Sequence, residues 1–293
     1  MACIKYYKTK VKMPDLAISP DGDFPVINVE KGIYAMELDV GKVSDAVLDI
    51  SAGSRTNVVP DLCTALVDKS LDLKPLEKFN VEVKEADGRI QLLTRGKSTH
   101  GAMPHTGVNA TWEMFRALSA CLPDDKTLAF VAEKMCRDVN GKAWGFPLED
   151  EVSGKITHSI GVVSLKNGNL KIKLDVRYPV TYKDSFVAEA MKKNSIDSFK
   201  IEEGHIKQPL HVDADSPLVK GLLEVYNKEM SCDAKPIAIG GGTYSRMLPM
   251  CVAFGPSFPG DTQVIHEINE YVSIDRLMQM AHIYLEAFAK MCG

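Results

Sequence analysis

The chain has 293 residues, 45% apolar and 25% charged, with 35 Lys+Arg against 39 Asp+Glu for a net charge of −4. That is enough polypeptide for two ordinary domains or one large one, and it excludes a mini-protein, a fibrous chain and wholesale disorder. No basic run is dense enough to track a phosphate backbone, and no stretch reaches the roughly 18 uninterrupted apolar residues of a membrane span, so neither nucleic acid nor a bilayer is an expected partner.

From Phe24 to Ser70, extended apolar segments (Phe24–Asn28, Ile33–Leu38, Ala46–Ile50) alternate with Gly and Ser and predict strands. Val81 and Val83 against Ile90 and Leu92 read as a hairpin joined through Ala86-Asp87-Gly88. Helices are predicted from about Val108 to Cys121 and from about Asp124 to Val139, the second capped by Asp124 or Asp125. A second hairpin, His158 to Tyr178, turns at Asn167-Gly168-Asn169, and its arm Leu170-Ile172-Leu174-Val176 alternates with polar residues. A helix from Asp184 to Lys193 and a strand near Phe199–Ile201 complete a layer of strand pairs backed by helices, with one sheet face covered and the other either wet or an interface. Beyond Gly204 follow a helix (Ser216–Met230), strands at Pro236–Ile239 and Cys251–Phe254, and a final helix, Ser273–Met291.

Residues 1–12 are interrupted by lysines and tyrosines where a signal peptide needs an apolar core, and the seven cysteines are scattered with no C-x-x-C pair. Both features read as a cytoplasmic protein with reduced thiols.

Four polar clusters could carry chemistry. Ser19-Pro20-Asp21-Gly22-Asp23-Phe24-Pro25 is either an ordinary turn or a rigid ligand loop. Gly96 to Ala110 holds His100 and His105, five apart and so not on one helix face; the phosphate-loop reading of Gly96-Lys97-Ser98 fails because Gln91 stands where that motif needs glycine. This stretch reads as a stiffened loop bearing a functional histidine or a surface one. Gly240-Gly241-Gly242-Thr243-Tyr244 offers backbone N–H groups to an anion, or close backbone packing. Phe254-Gly255-Pro256 leads through a loop to His266.

Together with Asn57, Val59-Pro60 and Asp175-Val176-Arg177-Tyr178-Pro179, these clusters resemble in order and spacing the ArgE/DapE/carboxypeptidase G family of co-catalytic zinc peptidases, most closely its PepV-like dipeptidase branch. In that family two zinc ions share a bridging carboxylate and a water, which a glutamate deprotonates for attack on the peptide carbonyl. The resemblance implies Asp21 as a carboxylate ligand of one zinc and His266 as an imidazole ligand of the other. It implies His100 as an oxyanion-stabilising residue, Arg177 as the clamp on a free peptide carboxylate, and Asn57, Gly241, Gly242 and Thr243 as substrate-binding positions. The implied substrate is a dipeptide or short peptide.

The implied architecture is α/β and α+β: a partial zinc-peptidase catalytic domain in two pieces (1–30 and 211–293) around an inserted lid, 31–210, of antiparallel sheet backed by helices. Two successive strand–helix units suggest the enlarged, monomeric form of lid. The family's His-x-Asp motif and paired glutamates stand upstream of the Ser-Pro-Asp motif, whereas the 18 residues before Ser19 contain no His, no Glu and a single Asp, Asp15. The expectation is a C-terminal part of a dipeptidase, inactive by itself, whose partner is the missing N-terminal half or a second copy. The alternatives are a non-catalytic peptide-binding module and one half of a split peptidase.

Overall fold

The computed structural model describes residues 2–86, 88–262, 264 and 268–293. Two compact units emerge, Met1–Lys31 with Pro209–Gly293, and Gly32–Gln208. The first opens with α1 (Ala2–Tyr7), β1 (Ala17–Ser19), β2 (Gly22–Asp23) and β3 (Ile27–Glu30). The second holds β4 (Gly32–Lys42), β5 (Val47–Ala52), β6 (Leu62–Val67), β7 (Glu82–Ala86), β8 (Arg89–Arg95), α2 (Ala110–Cys121) and α3 (Lys126–Phe130). It continues with β9 (Glu149–Asp150), β10 (Gly154–Lys155), β11 (Thr157–Lys166), β12 (Asn169–Tyr178), α4 (Asp184–Lys193) and β13 (Lys200–Lys207). The first unit resumes with β14 (Leu210–His211), α5 (Pro217–Met230), β15 (Ile237–Ile239), β16 (Cys251–Ala253), β17 (Pro256–Ser257) and α6 (Ile274–Cys292).

In the first unit β3 is flanked by β14, β15 and β16, and β16 pairs in parallel with β1. The strand expected over Phe24–Asn28 begins at Ile27, because Pro25 brings no N–H to a ladder and Phe24 is drawn into the core. Its ring stacks on Tyr226 with centroids 5.2 Å apart, meets Phe254 edge-on at 4.9 Å and tilts against Phe258 at 4.7 Å. Helices α5 and α6 close this core with Leu218, Leu222, Ile283 and Ala287. Ser216 and Ser273 cap them, accepting from Val219 N and Arg276 N.

The second unit is built on one antiparallel sheet in the order β13-β4-β12-β11-β5-β6-β8-β7. One face is packed by α2, which lies against β6 and β8 and shares one core through Met114, Phe115 and Leu118 with Ala65, Leu92, Leu38 and Leu174. On the other face, cross-strand ion pairs join Lys171 to Asp39 (2.9 Å) and Glu202 (2.6 Å), and Lys173 to Glu37. Such a charged ladder marks that part of the face as wet. Both edge strands carry mixed charge, Lys200, Glu202, Glu203 and Lys207 on β13 and Glu82, Lys84 and Glu85 on β7, which blunts strand addition.

Asn109 caps α2 through Thr111 N, and Asp125 caps α3 through Thr127 N and Leu128 N. The helix expected as far as Val139 is shorter: α3 ends at Phe130 and one wide turn, Val131–Met135, follows. Asp138 breaks it, since its carboxylate accepts from the backbone N–H groups of Asn140, Lys142 and Ala143 and folds the chain into a loop. That loop delivers Trp144 and Phe146 onto His158 of β11, with centroids 5.9 and 5.7 Å away.

His158 is 1% exposed and neither ring nitrogen finds a hydrogen-bond partner among the described residues. Burial pulls its pKa from 6.5 down to about 4, against the opposing pull of Asp138. The unfolded chain therefore takes up this proton below pH 6.5, whereas the fold takes it up only near pH 4, so stability falls as pH drops through that window. The expected loss is about 3 kcal/mol between pH 7 and pH 4. Both tryptophans of the chain, Trp112 and Trp144, lie in this unit and report its unfolding. Urea midpoints followed by tryptophan fluorescence should fall more steeply with acid in the native protein than in His158→Phe; parallel pH profiles would show that this histidine is not responsible.

Candidate functional site

Simple alternation along β12 would put Asp175 and Arg177 on the wet face with Lys171 and Lys173. Only the first half of the strand obeys this pattern: from Leu174 onward every residue is buried, with Asp175 at 1% and Arg177 at 4% exposure. The two side chains answer one another, Arg177 Nε donating to Asp175 Oδ1 and Nη2 to Oδ2, both at 2.7 Å. This two-pronged pair presents one edge of the guanidinium to the carboxylate.

Over the pair lies the loop from Gly96 to Asn109. A Cβ on Gly101 would stand 2.7 Å from Asp175 Oδ2 and 3.1 Å from Asn57 Cα, so the loop approaches this closely only because glycine is there. Gly101 N donates to Asn57 O at 2.7 Å. The Asn57 segment is itself seated on β11 at Gly161, where the register with β12 shifts and any Cβ would overlap the Thr56 carbonyl.

Immediately before Gly101 stands His100, exposed. Its Nδ1 accepts from Ala102 N at 3.1 Å, which leaves the proton of the neutral ring on Nε2. Nε2 lies 3.5 Å from the Asn57 side-chain amide. The second unit thus gathers Asn57, His100 and Arg177, three of the residues singled out in the sequence, into one cluster. Its chemistry is that of donors, an imidazole N–H and an amide above a buried guanidinium, suited to an oxygen that carries or develops negative charge.

In the first unit Asp21 projects, exposed, from the link between β1 and β2. Gly22 N donates to Gly255 O at 2.8 Å, Phe24 N to Ser257 O at 2.7 Å, and β2 pairs with β17. With Phe24 locked in the aromatic cluster, the Asp21 loop is fixed against the 254–258 segment. Burial raises the neighbouring Asp23 carboxyl above its usual range. His266 lies outside the described residues. Among the described residues no three His, Cys, Asp or Glu side chains gather as a metal site, whereas a catalytic zinc takes three protein ligands. The described donors do not by themselves fit that ion.

Glu30, fully buried, occupies the glycine turn. It accepts from Thr243 N (3.2 Å), Thr243 Oγ1 (2.5 Å) and Arg246 Nε (2.5 Å). Arg246 Nη2 in turn donates to the carbonyls of Lys31 and Gly241, each at 2.6 Å. The anion held by Thr243 is therefore the chain's own carboxylate, and the turn becomes a packed element that also brings Gly241 and Gly242 around Arg246. Sequence reasoning missed Glu30, Arg246 and the partnership of Asp175. The strand pattern points the wrong way for Asp175, and nothing local marks Glu30 as buried.

No protein-family model matches the chain. It is similar to the putative dipeptidase YtjP of Bacillus subtilis, 33% identical over 304 residues, covering 97% of this chain and 65% of that protein. The putative dipeptidase MW1694 of Staphylococcus aureus is 30% identical over 314 residues, covering 98% of this chain and 66% of its own. The chain thus spans about 65% of the length of the curated relatives it matches. Among solved structures it is similar to the M20 family metallo-carboxypeptidase Sso-CP2 of Sulfolobus solfataricus (17% identity, TM-score 0.48, covering 99% of this chain and 66% of that one). Another is the aminoacylhistidine dipeptidase of Vibrio alginolyticus (14% identity, TM-score 0.45, covering 95% and 66%).

Asp175→Ala should remove the carboxylate that faces the buried Arg177 guanidinium, at a cost of about 3–5 kcal/mol in unfolding free energy. Replacing both partners, Asp175→Leu with Arg177→Met, should recover most of that loss in the urea midpoint. A double variant no more stable than the single one would show that the pair is not what the carboxylate serves.

Proposed function

We propose that this chain provides the lid and part of the catalytic domain of a zinc-dependent dipeptidase of the PepV-like branch. The observation that carries the reading is the match of 97% of the chain to a putative dipeptidase at 33% identity. The donor cluster of Asn57, His100 and Arg177 supports it, since a peptide with a free carboxylate and a carbonyl that becomes an oxyanion needs donors of these kinds.

In this reading Arg177, held by Asp175, turns the rest of its guanidinium to the peptide carboxylate. His100, with its proton on Nε2, donates to the carbonyl oxygen as negative charge develops, and the Asn57 amide assists. Thr243 holds the turn of Gly241 and Gly242 through Glu30. A missing terminal charge on the peptide loses the charge-assisted contact to Arg177, which favours dipeptides over blocked analogues. Asp21 and His266 would each supply one ligand to a zinc ion, and the metal would supply an activated water. All seven cysteines are unpaired thiols, in keeping with a reducing, cytoplasmic setting.

With one ligand per metal, the 293-residue polypeptide by itself should hold less than stoichiometric zinc and turn over no dipeptide. Metal analysis and a hydrolysis assay across unblocked dipeptides check this; one zinc or more per chain together with turnover would overturn the one-ligand-per-metal reading. A second reading, a peptide-binding module without catalysis, is favoured by the confinement of Asn57, His100 and Arg177 to one unit. Calorimetry with free and C-terminally amidated dipeptides tests the carboxylate clamp. Binding should fall at least tenfold on amidation or in Arg177→Lys, and equal binding of both forms would remove Arg177 from that role.

A further inference from the structure

Helix α6 is apolar on two faces. Met280, Ile283 and Ala287 fill the core of the first unit. On the opposite side Ile274, Met278, Ala281, Leu285, Phe288 and Cys292 are all exposed, Ile274 at 79% and Phe288 at 56%. Their spacing alternates four and three residues along the whole helix, a continuous seam about 28 Å long. Leu277, also exposed, widens the seam to the three-in-seven face of a helix inside a globular core. Asp275, Gln279, His282, Glu286 and Lys290 keep one polar stripe along the helix, and the apolar arc that remains is wider than the first unit's core covers. In the same unit, β1 has β16 as its one strand partner among the described residues, so the sheet ends there on an open edge.

We propose that the Ile274–Cys292 seam is a docking face for a polypeptide segment equivalent to the part of the curated relatives that lies outside their match to this chain, a segment that buries the seam as a core. Two observations select this occupant over a second copy. About a third of each relative's length lies outside the region matched. The seam also lacks the flanking opposite charges that set pairing in two-helix coils, having Leu277, Tyr284 and Met291 along one border. The proposal rests on the dipeptidase reading above, but its readout is association and not hydrolysis, so either can fail without the other.

The test mixes the purified 293-residue polypeptide with the portion of the Bacillus subtilis relative outside the match, and separately with that of the Staphylococcus aureus relative. Sedimentation velocity should show a one-to-one complex with at least one of them, and hydrogen exchange over residues 274–292 should slow at least tenfold. The double variant Leu285→Glu, Phe288→Glu should lose the complex by at least tenfold in affinity. Its urea midpoint, matched to the parent's, shows that the fold is kept, and the exchange measurement needs no variant. Absence of a complex with both fragments overturns the proposal, as does a complex indifferent to the two substitutions. A stable homodimer that the same substitutions dissociate overturns it in favour of a second copy.

Discussion

A guanidinium at 4% exposure can be taken out of water only if a carboxylate goes with it, and this requirement shapes the part of the second unit where His100 stands. Asp175 sits two residues before Arg177 on the same strand, so the pair is set by strand geometry and closes whenever β12 forms. Sealing it demands a cover, and the cover is the His100 loop, brought down on Asp175 at Gly101. A histidine one residue from that contact point inherits a fixed position. The net energy of a buried pair is small, because desolvation offsets most of the attraction. Its contribution is to specify one arrangement of Asn57, His100 and Arg177 among many of similar packing energy.

The first unit meets the same constraint with different parts. Glu30 ends β3 inside the protein, and its charge is met by Thr243 and Arg246 from a turn more than two hundred positions away in the chain. A glycine turn with spare N–H groups resembles an anion site, and here the anion comes from within. In this unit Phe24 also anchors the Asp21 loop through rings donated by α5 and by the segments on either side of Pro256. Each loop of interest is thus held by a side chain that is not itself displayed.

Elements whose signals are local were legible. The turn Asn167-Gly168 takes φ of 53° and 77°, and both hairpins, the caps at Asp125 and Ser273 and the limits of α4 follow from residue type and spacing. What the sequence does not carry is which surface a distant segment will cover. Period-two alternation is kept by β12 as far as Lys173 and then loses its meaning, because a loop some seventy residues earlier buries the supposedly wet side. Likewise His158 gives no hint that aromatic rings from the loop before its strand will strip it of water, and Asp138, which ends the preceding helix, acts through backbone bonds that composition does not show. The cluster around His100 was legible only through its resemblance to a family pattern. Its geometry depends on Gly161 and Gly101, whose need for closeness appears only when the strands are assembled.

The strand order has a kinetic side. β5, β6, β8 and β7 are joined by short connections and can zip together while the chain is being made, but β4 lies between β12 and β13. Its ion-pair partners are as remote as Lys171, 132 positions from Asp39, and Lys173, 136 positions from Glu37. Long closures of this kind cost little in free energy, since each doubling of loop length adds only about 0.6 kcal/mol, yet they slow the search. The first strand synthesised in the second unit is therefore the last to be flanked on both sides. Until then Met36, Leu38 and Val40 wait with both edges of their strand unpaired, the moment in the life of this chain when it most needs protection from its neighbours.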